Sequence, residues 1–395
     1  MPFANSDFFD QASSRQPVLL AFPCLRYVVR LGWLEAFEWS VSSSLQDSLL
    51  PRFVPWVQAA RGLRKDAVSL AKGSFGVFEL FLSNEKSIRI ADASTRWAHL
   101  SSKVQLAQYA TLVNRDICPE SGWLRWDCEF DGSAKDPFAN PRPGGEFLFQ
   151  VAASNPWVLK RDGASGGKGI VFVTDVQQIK GAVDEARDIE EALPFVDDRR
   201  EQIAGWAAQR HINPMLIMNG RKFHLRVYVV SIGDRNFWYD EDFEVRVAPE
   251  PWQPDFNAEG CHITNGGGAE AKHERRYLGS EVAELSSVRD KVPLFISQVC
   301  SHPAAVEGME LDETWIPASV LGLDIMIDEN GKLKLLESNH SPASPPYDDE
   351  STFSRHVRRL VHRIVSMLVS VGLEPDMDSK KIRLEYGFKE IGLNS

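Results

Sequence analysis

The stretch Leu321 to Pro345, LGLDIMIDENGKLKLLESNHSPASP, constrains this chain more than any other. Two β-rich runs flank Asn330-Gly331, and Asn-Gly between such runs is the strongest short-range signal for a type I′ hairpin. With Asn330 and Gly331 as a two-residue turn, Glu329 faces Lys332. Counting outward, Asp324 lies opposite Glu337, and Asn339 follows on the same face. Facing carboxylates have Cβ atoms roughly 5 Å apart and repel unless a cation sits between them. Acid and amide oxygens on a rigid hairpin suit a hard cation such as Mg²⁺, which is normally shared with a nucleotide's phosphates. A solvated hairpin with scattered charges is the plainer alternative.

At 395 residues, and about 150 residues per domain, two or three domains are expected. The formal charge of -11 argues against general nucleic-acid binding, which needs a basic surface. Cys24, Cys118, Cys128, Cys261 and Cys300 form no CxxC pair and no zinc spacing, which reads as reduced thiols in an intracellular protein. Apolar runs such as Val18 to Phe22 are too short to span a bilayer. Asp7 and Asp10 precede the first basic residue, a poor start for a signal peptide, so the expected location is cytoplasmic.

Residues 1–95 hold a helix-like stretch near Gln58 to Lys72 and a strand pair around Phe75 to Ile90. An amphipathic segment, Thr95 to Leu112, is followed by a Pro/Gly-rich loop, Asp131 to Gly145. Strands Trp157–Lys160 and Ile170–Val173 flank a glycine-rich turn, and Val176 to Gln209 is acidic and helix-permissive. An alternating strand runs from Lys222 to Ser231, with another around Phe243 to Val247. Glycine and proline dominate Ala248 to Gly268, a loop-like connection. Ser354 to Val371 places Val357, Leu360, Val361, Ile364, Val365, Leu368 and Val371 at helical spacing. Its other face carries Arg355, Arg358, Arg359 and Arg363, either a solvated basic face or a grip for an acidic partner.

The glycine-rich turn, Gly163-Ala-Ser-Gly-Gly-Lys-Gly169, can wrap phosphate oxygens with its backbone N–H groups. It fails as a Walker A loop, because Asp162 stands where the first Gly belongs and Gly169 where Ser or Thr would hold the metal. It also joins two strands, which suits a flap over phosphates, with Lys160 within reach of them. In Lys222-Phe-His-Leu-Arg226, alternation puts Phe223 and Leu225 on one face and Lys222, His224 and Arg226 on the other. Three such groups in a row call for an anion, and Arg suits bidentate recognition of carboxylate or phosphate. Arg246 sits similarly between Val245 and Val247. A glycine flap with a lysine, a cationic strand and an Asp/Glu/Asn hairpin together make a phosphate-and-magnesium site.

In their order along the chain, these motifs resemble the tubulin–tyrosine ligase family of ATP-grasp enzymes. The resemblance rests on Trp157 to Ile170, Gln209-Arg-His-Ile212, Arg221 to Arg226, His262-Ile-Thr-Asn265, and Glu337-Ser-Asn-His-Ser-Pro342. It implies a mixed α/β, three-part ATP-grasp fold. An N-terminal α/β domain would span residues 1–95, a central domain with the flap 96–210, and a C-terminal domain with the metal hairpin 211–395. Carried over, Lys160 would hold phosphates, with Gly166, Gly167, Lys168, Gly169 and Ile170 closing over them. Gln209, Arg210, His211 and Ile212 would read adenine, and Lys222, His224, Thr264 and Asn265 would contact the nucleotide. Arg226 and Arg246 would stabilise the transferring phosphate or acyl phosphate, together with Glu337. Asp324, Glu337 and Asn339 would ligate Mg²⁺.

Three departures stand out. His224 replaces the Asp usual near the ribose, Gly166 replaces a basic flap residue, and Gly266 to Gly268 replace bulkier residues. The implied activity is ATP-dependent amide formation, with a protein carboxylate phosphorylated and then displaced by an amino acid's amine. The implied partners are tubulin or another acidic-tailed protein and a free amino acid, with neither nucleic acid nor membrane. The protein would be a monomer in the cytoplasm, associated with microtubules or cilia. Two alternatives stay open: a catalytically decayed module that binds tubulin or another protein, and an ATP-grasp ligase of small molecules.

Overall fold

The computed structural model describes residues 19–20, 77–81, 87–92, 97–114, 116–124, 156–162, 169–175, 177–179, 181, 206–256, 259–264, 275–301, 315–340 and 351–392. The helix expected near 58–72, the loop at 131–145 and the flap tip at 163–168 lie outside them. The strands are β1 (Leu19–Leu20), β2 (Val77–Phe81), β3 (Ser87–Asp92), β4 (Ser121–Leu124) and β5 (Trp157–Arg161). They continue with β6 (Ile170–Val173), β7 (Trp206–Arg210), β8 (Leu216–Ile217), β9 (Arg221–Ile232) and β10 (Arg235–Tyr239). The last are β11 (Glu244–Pro251), β12 (Arg276–Leu278), β13 (Trp315–Ile327), β14 (Leu333–His340) and β15 (Phe388–Glu390).

The architecture is mixed α/β, with strands in two sheets. The smaller sheet runs β4-β7-β5-β6, and its pairs are antiparallel. The larger has β9 and β13 as its antiparallel spine. Each of these long strands shares its outer edge between two neighbours. β13 pairs with β3 in parallel near its start and with β14 beyond it, whereas β9 pairs with β11 and then with β10. The stretch expected to be helix-permissive up to Gln209 ends instead in β7, whose Ala207 and Ala208 oppose Lys160 and Leu159 of β5.

The alternation read in β9 is present and does double duty. Phe223, Leu225, Val227 and Val229 all enter one core, with Leu323, Ile325 and the helix α3 described below. On the opposite face, Tyr228, Val230 and Ile232 enter a second core against the long C-terminal helix. That helix covers only the later half of this face. The earlier half carries Lys222, His224 and Arg226, all buried, and there the face becomes a site.

Helices follow the same logic. The amphipathic segment expected from Thr95 breaks at Ser102 into α1 (Ala98–Ser101) and α2 (Lys103–Leu112). Ser102 caps α2 by accepting the Gln105 N–H, 3.2 Å away. The apolar helix α3 (Val292–Val299) buries Val292, Phe295, Ile296 and Val299. The helix expected from Ser354 to Val371 is α4 (Thr352–Leu373), and it buries Val357, Leu360, Ile364, Leu368 and Val371. Of its basic face, Arg359 and Arg363 both reach Glu241, so part of that charge is answered within the chain. No helix among the described residues is long and apolar enough to cross a membrane.

The hairpin differs from expectation at its turn and yet reaches the expected pairing. Asp328 N–H bonds to Lys332 O at 2.9 Å, leaving Glu329, Asn330 and Gly331 as a three-residue loop. Gly331 takes the left-handed conformation, φ 74°, which a bulged loop of this kind requires. Asp328 Oδ1 accepts the Asn330 and Lys332 N–H groups at 2.9 and 2.8 Å. The ladder then pairs Ile327 with Leu333 and Ile325 with Leu335, apolar on apolar. Continued without change, that phase would send Glu337 into the core beside Leu333 and Leu335. A one-residue shift between Asp324 and Ile325 absorbs Leu336 and sets Glu337 opposite Asp324.

Candidate active site

A cleft lies where the small sheet meets the spine of the large one. Its upper wall is Val158 and Lys160 on β5, Ile170 and Phe172 on β6, and Gln209 on β7, running on through Arg210, His211 and Ile212. Its floor is Lys222 and His224 on β9, Asp324 and Met326 on β13, and Leu336 and Glu337 on β14, with His262, Ile263 and Thr264 at the side. Lys160 Nζ spans the gap, donating to Gln209 Oε1 at 2.6 Å and to the Leu336 carbonyl at 3.3 Å. The shift that turns Glu337 into the cleft therefore also presents a main-chain acceptor to the lysine.

Burial decides the electrostatics. Lys160 and Lys222 are each 8% exposed. Burial brings Lys160 down to about 8, although Glu337 pulls the other way. Burial, reinforced by the nearby Lys160 charge, also brings Lys222 to about 8. Two buried ammonium groups on opposing sheets, the charge of Lys160 adding to the penalty on Lys222, favour an anion between them.

Below them the floor is a grid of charge. One row crosses β14, β13, β9 and β11 as Glu337, Asp324, Arg226 and Glu244, each directly opposite the next. Arg226 closes on Asp324 through Nε to Oδ1 and through Nη2 to Oδ2 at 2.8 Å. Burial would raise the Asp324 carboxyl, but the Arg226 charge, with His224 beside it, holds it well below the usual carboxylate range. Glu244 accepts from Tyr228 Oη at 2.5 Å and from Arg246 Nη2 at 2.9 Å. Burial opposes its charge too, and Arg246, Arg276 and Arg226 outweigh burial and keep it low. The next row is His224, Arg246 and Arg276. Arg226 and Arg246 thus each hold a carboxylate, Asp324 and Glu244, while Lys160 and Lys222 bring positive charge to the cleft.

Asp324, Glu337 and Asn339 offer two carboxylates and an amide oxygen, a donor set that suits a hard cation. Asn339 Nδ2 lies 3.3 Å from Asp324 Oδ2 and 3.4 Å from Glu337 Oε1, tying the two acids together. Among the described residues, no group of three His, Cys, Asp or Glu side chains is gathered to hold an ion as it stands. The set fits Mg²⁺ by donor chemistry, with Arg226 already on one member.

At the far end of the cleft the rings of Phe172, His211, Phe256 and His262 pack with centroids 4.9 to 6.4 Å apart. Burial, helped by the Lys222 and His262 charges, pushes His211 down to about 3, so it is neutral. The Arg210 guanidinium bonds to Glu120 at 2.6 Å and lies over the Trp157 ring. The His211 N–H is already given to Pro156 O at 3.0 Å.

Of the residues singled out from sequence, Lys160, Ile170, Gln209, Arg210, His211, Ile212, Lys222, His224, Thr264, Asp324 and Glu337 line this one cleft. Arg226 and Asn339 bond to Asp324, and Arg246 stands across from His224. Gly169 closes the base of the flap, its carbonyl accepting the Arg161 N–H at 2.8 Å. Gly166, Gly167, Lys168 and Asn265 lie outside the described residues. Lys103 was not foreseen. It opens α2 and puts Nζ 3.8 Å from Glu337 Oε2. Asp162 holds it there, accepting the Lys103 N–H and the Ser102 hydroxyl, each at 2.8 Å. Nothing local to Ser102-Lys103 signals this, whereas Glu244 could have been found by its alternation with Arg246.

A model of the tubulin-tyrosine ligase family matches residues 145–380. The chain belongs to that family. A probable tubulin–tyrosine ligase of Schizosaccharomyces pombe is 21% identical over 189 residues, 46% of this chain and 45% of its own. Tubulin glycylase 3C of Tetrahymena thermophila is 24% identical over 262 residues, 60% of this chain and 22% of its own. The matches thus span less than half the length of these family relatives. Among solved structures, the C-terminal domain of K. lactis Pby1, described as an ATP-grasp enzyme interacting with the mRNA decapping enzyme Dcp2, is 21% identical with a TM-score of 0.38. That match covers 62% of this chain and 64% of the other.

Proposed function

We propose that this protein is an ATP-dependent carboxylate–amine ligase of the ATP-grasp type, joining an amino acid to a carboxylate of tubulin or another acidic-tailed protein. The observation that carries the reading is the pair of buried lysines, Lys160 and Lys222, facing one cleft beside the Asp324–Glu337 pair. Triphosphate oxygens supply the anion that the lysines need, and the carboxylates hold the cation that accompanies it. The ring cluster around His211 takes the base. Bound Mg²⁺ would neutralise charge on the transferring phosphoryl group. Arg226 and Arg246, held in place by Asp324 and Glu244, would steady the oxygens of the acyl phosphate, whose carbonyl carbon the amine attacks as inorganic phosphate leaves and the amine gives up a proton. Tubulin as acceptor rests on the family's relatives, since tubulin is the substrate that their names specify.

Measuring ADP formation with Mg²⁺, a set of amino acids and tubulin, with and without the acceptor, tests this directly. Turnover that requires both tubulin and an amino acid, and that Glu337→Gln abolishes, supports it. Turnover without a protein acceptor would move the assignment to small-molecule ligation. A second reading, binding without turnover, draws on Arg226 closing over both oxygens of Asp324. It predicts nucleotide binding but no ADP under any combination.

The lysines add a signature independent of the acceptor. Both sit near 8, and an arriving phosphate raises an ammonium's pKa. ATP binding is therefore expected to take up about one proton at pH 8 and between one and two at pH 9, and far less at pH 6.5, where the lysines are already charged. Calorimetry in buffers of different ionisation enthalpy reads this number, and proton release on binding would contradict it.

A further inference from the structure

We propose that His224 is a nitrogen ligand to the metal ion of this cleft, so that the centre favours Mn²⁺ and similar ions over Mg²⁺. The inference rests on the nucleotide-and-metal reading above and goes beyond it.

The side chain is 1% exposed and lies between two fixed groups. Its Nδ1 stands 2.6 Å from Thr264 Oγ1. Its Nε2 is buried, makes no hydrogen bond of normal length and faces one carboxylate, that of Asp324, 3.5 Å from Oδ1. An orphaned buried nitrogen costs stability unless a ligand uses it. When Nδ1 gives its proton to Thr264, Nε2 keeps its lone pair, and a hydrogen bond at the far ring nitrogen is the usual way proteins orient a metal-binding imidazole.

Donors of one coordination shell are about 3 Å apart when metal–ligand distances are about 2.1 Å. Nε2 and Oδ1 are near that spacing already. Glu337 is half-buried on the adjoining strand and would have to move in to complete the shell, because no three of these side chains are gathered among the described residues. Arg226 holds Asp324 through both oxygens, so an ion here would share this carboxylate with the guanidinium. A centre of one nitrogen and several oxygens suits Mn²⁺, Co²⁺ or Fe²⁺, whereas Mg²⁺ prefers oxygen alone.

The test uses the full chain with MnCl₂ and a non-hydrolysable ATP analogue. Calorimetry first establishes that the analogue binds with Mn²⁺ and with Mg²⁺; no binding with either ion sinks the functional proposal itself. On the Mn²⁺ complex, pulsed electron paramagnetic resonance is expected to show nitrogen hyperfine coupling from a coordinated imidazole. His224→Asn, whose amide can still bond to Thr264, should lose that coupling. It should also lose roughly tenfold or more of the affinity advantage of Mn²⁺ over Mg²⁺. Binding of the analogue with Mn²⁺ but no nitrogen coupling in the wild type would overturn the inference and leave the nucleotide site intact. The same follows if His224→Asn keeps the coupling.

Discussion

Asp324→Ala is expected to destabilise the protein by about 3–5 kcal/mol, the usual consequence of stripping one partner from a buried ion pair. Asp324 is 1% exposed and Arg226 4%, and the carboxylate meets the guanidinium through both oxygens. Without it, the arginine keeps its charge buried on β9, with Glu244 as its remaining facing carboxylate among the described residues. Glu337→Gln should differ sharply. Its side chain is 22% exposed, and its contacts to Lys103 and Asn339 are 3.8 and 3.4 Å, so a change within about 0.5 kcal/mol is expected. Metal-dependent nucleotide binding should nevertheless be lost. Urea unfolding of the two variants side by side makes the comparison. Equal destabilisation would mean that the pair is not the buried anchor described. If the contrast holds, lost activity in an Asp324 variant says little about catalysis, and Glu337 is the residue to mutate.

Lys222→Met should make the unliganded protein more stable at neutral pH while weakening nucleotide binding roughly 10- to 100-fold. Burial lowers this lysine from 10.5 to about 8, and at about 1.4 kcal/mol per unit that amounts to roughly 3 kcal/mol. Below pH 8 the folded and unfolded chains both hold the proton, and the penalty is complete. Between 8 and 10.5 the unfolded chain binds more protons, so the wild type gains stability as pH rises. Above 10.5 the penalty is gone. The advantage of Lys222→Met should therefore be full at pH 7 and shrink across that window, as denaturant midpoints at several pH values would show. A variant less stable than wild type at pH 7 would mean that the ammonium is already compensated within the fold.

Much of the floor was legible because period-two alternation is a rigid rule on buried strands. Lys222, His224 and Arg226 had to share a face once Phe223, Leu225 and Val227 were assigned to the core. The turn was misread, since Asn-Gly points to a two-residue loop and the chain uses three. The signal against it was present: Leu333 and Leu335 set an apolar phase that Glu337 would join unless Leu336 broke it. Gln209 was placed in a helix-permissive run because acidic composition outweighed the short Trp206–Arg210 strand, whose alanines only make sense against Leu159 and Lys160 of β5. Lys103 was illegible. Its place at Glu337 depends on Asp162 gripping the start of α2 across the fold, a contact with no local spacing to betray it.

The Leu336 carbonyl that receives Lys160 is encoded by chain length, not by residue identity. Any side chain at this position presents the same oxygen, so scanning substitutions would pass over it, and sequence comparison that weighs identity would too. Removing the residue altogether is different. The ladder could then run on regularly, with Leu335 still opposite Ile325 and the glutamate still opposite Asp324, while the lysine lost a main-chain acceptor. A single deletion here would thus separate what holds the lysine from what faces the aspartate, a distinction that no point substitution in the hairpin can make.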